Sequence, residues 1–395
     1  MTTSTLYYDH YDVTIYADPY PVYRRLREES PLYYNDKHGY YVLSRFADVE
    51  RGLTDPATFI SGRGAVVELI KSGLEIPPGV IIFEDPPIHT IHRRLLSGVF
   101  TPRKVLALEP AIREFTARSL DPFIGSRDFD FVADLGAQMP MRVIGMLLGI
   151  PEDDQEEIRT HIDDNLRTEA GKPMRNSGAV PSGEIFADYI DWRAGHPSDD
   201  LMTDLLQAEF EDETGTRRRL SRGEILTYVT VIAGAGNETT NRLIGWTGKV
   251  LADHPEQRRE LAADPGLIPN AIEELLRYEP PAQHIARYVA RDVELDGQLV
   301  PEGSIMLLLA GSANRDDRHY PDGDRFDIHR EASATLSFGR GIHFCLGAAL
   351  ARLEGRIALE EMLKRFPDWE VDTERATLAS TSTVRGWESL PARLG

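Results

Sequence analysis

The sequence contains one cysteine in 395 residues. A single thiol closes no intramolecular disulfide, and it supplies one ligand where a zinc or iron–sulfur site needs several. Long hydrophobic runs are missing too: charges interrupt the apolar residues throughout, so no transmembrane helix is expected. The first residues, Met1 to His10, lack the basic start and apolar stretch of a secretory signal, which makes the cytoplasm the expected location. Basic residues are scarce, 44 against 64 acidic ones, and a net charge of −20 repels a phosphate backbone, so no nucleic-acid partner is expected. No repeat, low-complexity tract or Pro/Gly/Ser linker divides the chain, and residues 1–395 are expected to form one domain.

What is present is helical periodicity. Ile225, Val229, Ile232, Gly236, Thr239 and Leu243 recur at alternating steps of four and three, the spacing of one helix face. Ser221 and Glu224 make a capping box ahead of them, and no proline follows until Pro255, which predicts a helix of about 45 Å. A second helix is expected from near Pro269 to just before Glu279-Pro280-Pro281, and a third carries Leu346, Leu350, Leu353 and Ile357 as far as Phe366-Pro367. Leu32–Tyr34 and Tyr40–Val42 flank a turn at Asp36-Lys37-His38-Gly39 and read as a hairpin. Tyr288–Leu309 reads as a second small sheet, turning at Asp296-Gly297 and at Pro301-Glu302-Gly303. Asp154–Glu169 and Glu184–Trp192 read as helices, and the breakers between them, Gly171 through Gly183, as a mobile lid. The expected fold class is mainly α with small β-sheets.

The cysteine stands in Phe338-Gly339-Arg340-Gly341-Ile342-His343-Phe344-Cys345-Leu346-Gly347, after a glycine-rich loop and at the start of an amphipathic helix. Loop N–H groups and the positive helix end stabilise a thiolate there, and the glycines admit close backbone or a flat ligand. On these residues alone an inert buried cysteine fits as well. Three further clusters stand out. Glu274 and Arg277 are three apart on a helix; His89 and Arg93 are four apart, on one face, and both can donate to a carboxylate. Ala235-Gly236-Asn237-Glu238-Thr239-Thr240 lies within the long helix. There the Thr239 hydroxyl can bond a carbonyl one turn back and open the helix, while Glu238 is titratable.

In this order along nearly the whole chain, these motifs resemble those of the cytochrome P450 family. The resemblance implies a cytochrome P450 fold, with the long central helix over a haem b (iron protoporphyrin IX). It makes Cys345 the thiolate ligand of the iron, packs Phe338 beneath the haem, brings His343 to a haem propionate, and brings His89 and Arg93 to one propionate and Arg287 to the other. Glu274 and Arg277 become a structural ion pair, with Arg325 of Asp324-Arg325-Phe326 as the third member and Arg330 as the alternative. Ala235 and Gly236 let the helix lie against the haem face, and Thr239 and Glu238 serve proton delivery; Asn237 stands where the family often has an apolar residue. The substrate side maps to Ile81, Ile82, Phe83, Val231, Ala235, Ile285, Ala286, Thr383 and Val384. The implied activity is insertion of one atom of O2 into a mid-sized apolar substrate. Electrons are expected from a ferredoxin and its ferredoxin reductase, because the chain ends at Gly395 without a flavin or ferredoxin domain, and a monomer is expected. The alternative is a haem-thiolate binding or sensor protein, which needs the cysteine loop but neither Glu238 nor Thr239.

These assignments make the purified protein red, and its reduced carbonyl complex should show the strongly red-shifted Soret band of thiolate ligation. Cys345→Ala should lose that band; an absorption spectrum in which the variant keeps it overturns the assignment.

Overall fold

The computed structural model describes residues 5–76, 78–98, 100–174, 183–331, 334–382 and 384–395. Its longest element is the central helix Arg222–Asp253, 32 residues. The capping box starts it: Ser221 Oγ accepts the Glu224 N–H at 3.2 Å, and the Glu224 carboxylate accepts the Ser221 N–H at 2.7 Å. The helix belongs to two cores at once. Ile225, Leu226, Val229 and Ala233 pack with Met141, Ile144 and Ile158, whereas Leu243, Ile244, Val250 and Leu251 pack with Leu353, Ile357 and Leu359. A helix apolar on so many sides must be enclosed by others. Among the described residues one helical stretch, Phe131–Leu148, is long and apolar enough to cross a membrane; it is 67% buried and packs against the central helix.

The expected hairpin forms between Leu32–Asn35 and Tyr40–Leu43. Tyr40–Leu43 also pairs in parallel with Ile305–Leu308, which pairs antiparallel with Ile285–Val289, and Phe59–Ile60 closes that edge. The stretch Tyr288–Leu309 is therefore divided between two sheets. Val293–Leu295 and Gln298–Val300 form their own hairpin around Asp296 and Gly297, whose φ of 48° and 72° suit a two-residue turn that accepts left-handed backbone. Its outer strands join the N-terminal hairpin instead. Alternation in a sequence marks strands but does not name partners more than 200 residues away.

Helices Gln155–Leu166 and Ala187–Gly195 stand where two were expected, the second preceded by a short 3-10 turn, Glu184–Phe186. Most of the expected lid between them, residues 175–182, lies outside the described residues.

Helix Ile268–Tyr278 carries Glu274 and Arg277, both at 0% exposure. Arg277 Nε and Nη2 reach the two carboxylate oxygens at 2.6 and 2.8 Å, a bidentate pair. The remaining Arg277 hydrogens go to the carbonyls of Asn314, Gly323 and Arg325 at 2.8, 2.7 and 3.1 Å, and Glu274 accepts the Asp327 N–H at 2.9 Å. The third member of the network is Arg330, whose Nε lies 3.3 Å from Glu274. This corrects the choice of Arg325. Successive turns closed by Arg325 N–H to Asp322 and by Arg330 N–H to Asp327 direct the Arg330 side chain inward, and Arg325 points outward to Asp327 at 2.8 Å with 67% of its side chain exposed.

Glu274→Ala and Arg277→Ala should each cost roughly 3–5 kcal/mol, because each leaves the other charge buried and unpaired. Arg325→Ala should change stability by less than about 0.5 kcal/mol. Thermal denaturation checks the order; equal losses in all three would refute the network as drawn.

Candidate functional site

The cysteine loop is closed on itself before the terminal helix Ala348–Arg365 begins. The Cys345 N–H donates to the Phe338 carbonyl at 2.9 Å, and a short 3-10 turn spans Gly341–His343. Gly341, at φ +66°, has no room for a side chain, since a Cβ would sit 2.9 Å from the Leu53 carbonyl. Here the glycine admits a neighbouring helix, not a ligand. The Phe338 ring lies under the Arg352 guanidinium at 4.5 Å and packs against the core around the terminal helix.

Cys345 is exposed, yet it has enough protein around it that burial pushes its thiol pKa up. Those two facts describe the floor of a cleft. The Gly347 N–H, Arg93 and Arg352 work in the opposite direction, favouring the thiolate. Arg93, on helix Ile88–Ser97, also donates to the Phe344 carbonyl, which ties that helix to the cysteine loop.

Beside the thiol, four donor side chains converge. The rings of His89 and His343 lie 4.3 Å apart. His343 is pushed down to about 3, first by burial and then by Arg287, His89 and Arg93, and His89 is lowered by burial and by Arg93. Arg287 is 2% exposed, its pKa is lowered to about 10 by burial, and Asp85 partly offsets that. Both ring nitrogens of His89 and Nε2 of His343 are buried without a partner. Buried donors left unmatched are costly, and cations that repel one another are relieved by an anion placed among them.

On the other wall, Val231, Ala235 and Thr239 recur every four residues on one face of the central helix, and all three are partly or fully exposed. Ala233, Asn237 and Glu238, between them, and Thr240 just beyond are buried. The Thr239 hydroxyl donates to the Ala235 carbonyl at 2.8 Å. The helix nevertheless stays unbroken through this turn, which corrects the expected local opening. Gly236 is corrected as well: a Cβ there would meet Ile144 at 2.5 Å, so its bareness serves the reverse side of the helix, and Ala235 alone of the two is exposed.

Glu238 turns away from this face. One carboxylate oxygen accepts two bonds from Arg242, the Nε bond at 3.0 Å, while the other oxygen is buried without a partner. Arg242 also bonds the Trp387 carbonyl and lies 3.8 Å from Glu388. Asp163 adjoins the pair and is pushed up to about 6, mainly by burial and then by Glu238.

Of the residues mapped to the substrate side, Ile82 is 45% exposed and Phe83 and Ile285 are half-buried, with Ile285 on the same strand face as Arg287. Ile81 and Ala286 are buried in packed cores, which corrects their mapping, and Val384, also buried, lines a cavity with Tyr16, Tyr23 and Arg385. Thr383 lies outside the described residues.

The comparisons with known proteins bear on the whole chain. The family model for cytochrome P450 matches residues 266–389. A putative cytochrome P450 123 of Mycobacterium tuberculosis is 39% identical over 97% of this chain and 96% of its own. The chain belongs to the cytochrome P450 family. A vitamin D(3) 25-hydroxylase of Pseudonocardia autotrophica is 33% identical, covering 100% of this P450 and 98% of the relative. CYP109E1 from Bacillus megaterium, solved with testosterone, superimposes with a TM-score of 0.87 at 28% identity over 97% and 99% of the two chains. This P450 is therefore a haem monooxygenase, and its cofactor is iron protoporphyrin IX. The residues present fit that group: an accessible lone thiol for iron lies beside orphaned buried donors suited to two carboxylates.

Three features of the site were not foreseen. Asn237 is fully buried with neither amide atom partnered. Glu354, on the terminal helix, is pushed up to about 8 by burial, and its one bond is from the Thr240 hydroxyl at 3.3 Å. Glu84 and His92 form a buried pair, 2.8 Å apart. Charges at apolar helical spacing were the available signal for Glu354; nothing local marked the other two.

Asp163 yields a pH prediction. Its folded pKa, about 6, lies above the ordinary carboxylate value near 3.9, so its stabilising contribution is complete below the lower value and is lost as pH rises through the higher one. Asp163→Asn should therefore raise the melting temperature at pH 7.5, by the equivalent of about 1–2 kcal/mol, and much less at pH 4.5. Calorimetry at the two pH values checks this; an equal shift at both means ionisation is not the cause.

Proposed function

We propose that this monooxygenase hydroxylates a mid-sized apolar molecule, drawing electrons from a separate ferredoxin and its reductase in the manner of the family. The observation that carries the reading is the sole thiol on a cleft floor, with unmatched buried donors beside it and a small-residue helix face above. Bound haem supplies the redox chemistry, activating dioxygen with a thiolate as the iron's protein ligand.

The chain's own residues then have distinct tasks. Cys345 gives the thiolate, a form that the Gly347 N–H and the nearby arginines favour against the effect of burial. His89, Arg93, His343 and Arg287 would hold the two propionates, the arginines by charge and the histidines as hydrogen-bond donors. Ala235 keeps the helix face low, and Ile82, Phe83, Val231 and Ile285 surround the substrate with aliphatic and aromatic surface. An apolar substrate suits these side chains. The relative named for vitamin D(3) 25-hydroxylation and the neighbour solved with testosterone support a molecule of that size and polarity.

Proton delivery falls to Thr239 and Glu238. With its hydrogen engaged by the Ala235 carbonyl, the Thr239 oxygen presents lone pairs to the cleft and can accept a bond there. Glu238, held by one oxygen to Arg242, has a second oxygen free to take a proton from the far side of the helix. A rotation away from Arg242 would carry that proton toward Thr239.

A spectral titration with a panel of apolar compounds identifies a substrate, and matched measurements of reductant consumed, product and hydrogen peroxide then test the roles. Thr239→Ala should keep haem content and substrate binding while product falls several-fold and peroxide rises. Glu238→Gln should slow turnover roughly tenfold or more without that diversion. Unchanged coupling in Thr239→Ala removes the hydroxyl from the mechanism.

A further inference from the structure

Glu84 joins three parts of the molecule that no role above connects. It follows the 3-10 turn Ile81–Phe83, and both it and His92 are buried. Its carboxylate accepts the Gly79 N–H at 2.7 Å and lies 2.8 and 2.9 Å from His92 Nδ1 on helix Ile88–Ser97. Its backbone carbonyl lies beside the His343 ring of the cysteine loop. The far edge of the His92 ring is fixed by edge-on contacts with Phe210 at 6.1 Å and Tyr228 of the central helix at 5.6 Å. Gly79 seats the loop on the same helix: its φ is +104°, and a Cβ would come 3.3 Å from Thr227. The next residue, Asp85, accepts the N–H groups of Ser61 and Gly62 at 2.9 and 2.7 Å. The segment 79–85 is thus pinned at both ends, with Ile82 and Phe83 between the pins.

A buried carboxylate–imidazole pair is a poor way to stabilise this region, since apolar side chains of the same volume would do as well or better. What the pair adds is direction, because hydrogen bonds accept one arrangement of the loop where apolar packing tolerates several. We propose that Glu84 and His92 are positioning residues that hold Ile82 and Phe83 at one height beside the haem edge, and so set which bulky ligands the cleft accepts. This rests on the reading that Ile82 and Phe83 face the substrate.

Two iron-binding probes separate that role from general damage to the site: imidazole, which is too small to meet the loop, and clotrimazole, which fills the pocket. In the haem-loaded full chain, His92→Phe keeps a ring between Phe210 and Tyr228 but removes Nδ1. It should weaken clotrimazole about five- to tenfold, the worth of one lost buried hydrogen bond, and leave imidazole within twofold. Amide exchange of the 79–84 peptide should quicken about tenfold. His92→Asn places an N–H near the position of Nδ1 and should restore most of both effects. Glu84→Gln, which keeps the shape and loses the charge, should weaken clotrimazole selectively by about threefold. Unchanged clotrimazole affinity with unchanged exchange overturns the proposal, and so does equal weakening of both probes, which would locate the damage in the haem pocket. A wild-type protein that gives no imidazole spectrum at all would instead overturn the haem-site reading beneath it.

Discussion

The Glu274–Arg277 pair is the constraint on which the active side of this P450 depends. A guanidinium at 0% exposure must place all its hydrogens, and these reach the partner carboxylate and three backbone carbonyls on the far segment. Each bond fixes a point on the irregular chain between Asn314 and Arg330. Asn314 in turn accepts the Leu336 N–H at 2.8 Å and donates to Ser337 at 2.8 Å, two residues from where the cysteine loop begins to turn. A segment with little regular structure of its own is thus held like an element of secondary structure, and the thiol inherits its position from an ion pair that touches no ligand.

The cleft is built by opposition. One wall is the loop, held by bonds between backbone and side chains; the other is the central helix, held by apolar packing in two cores. Charge is arranged accordingly. Basic groups gather at the loop side, where burial depresses His343, His89 and Arg287 and neighbouring arginines depress the two histidines further. Carboxylates are kept off the cleft face: Glu238 and Asp163 sit behind the helix with Arg242. The open helix face keeps only Val231, Ala235 and Thr239, so the single hydroxyl there acts in largely apolar surroundings.

Much of this was legible in the residues. The capping box, the hairpin and the length of the central helix follow from local rules, and local rules hold where neighbours in sequence are neighbours in space. The cysteine loop was legible because glycine, aromatic and thiol occur at fixed offsets. What escaped were choices made in three dimensions. Arg325 and Arg330 are five apart in an aperiodic segment, and turns alone decide which faces Glu274. Gly236 and Ala235 are adjacent small residues, and the helix phase that separates them was not fine enough to say which one meets the cleft. Glu84 and His92 lie on either side of a loop-to-helix junction, where no periodicity connects them.

The contact behind Gly236 has a geometric corollary. Ile144 fills the space of the missing Cβ, so it acts as a stop that sets how far the central helix retreats from the thiol. The clearance above the cleft floor is therefore adjusted from the helix's dry side, by a residue that no substrate meets. A smaller side chain at position 144 would let the helix recede and raise the ceiling without altering a single lining group. Shape in this enzyme can drift through its packing while its chemistry stays where it is.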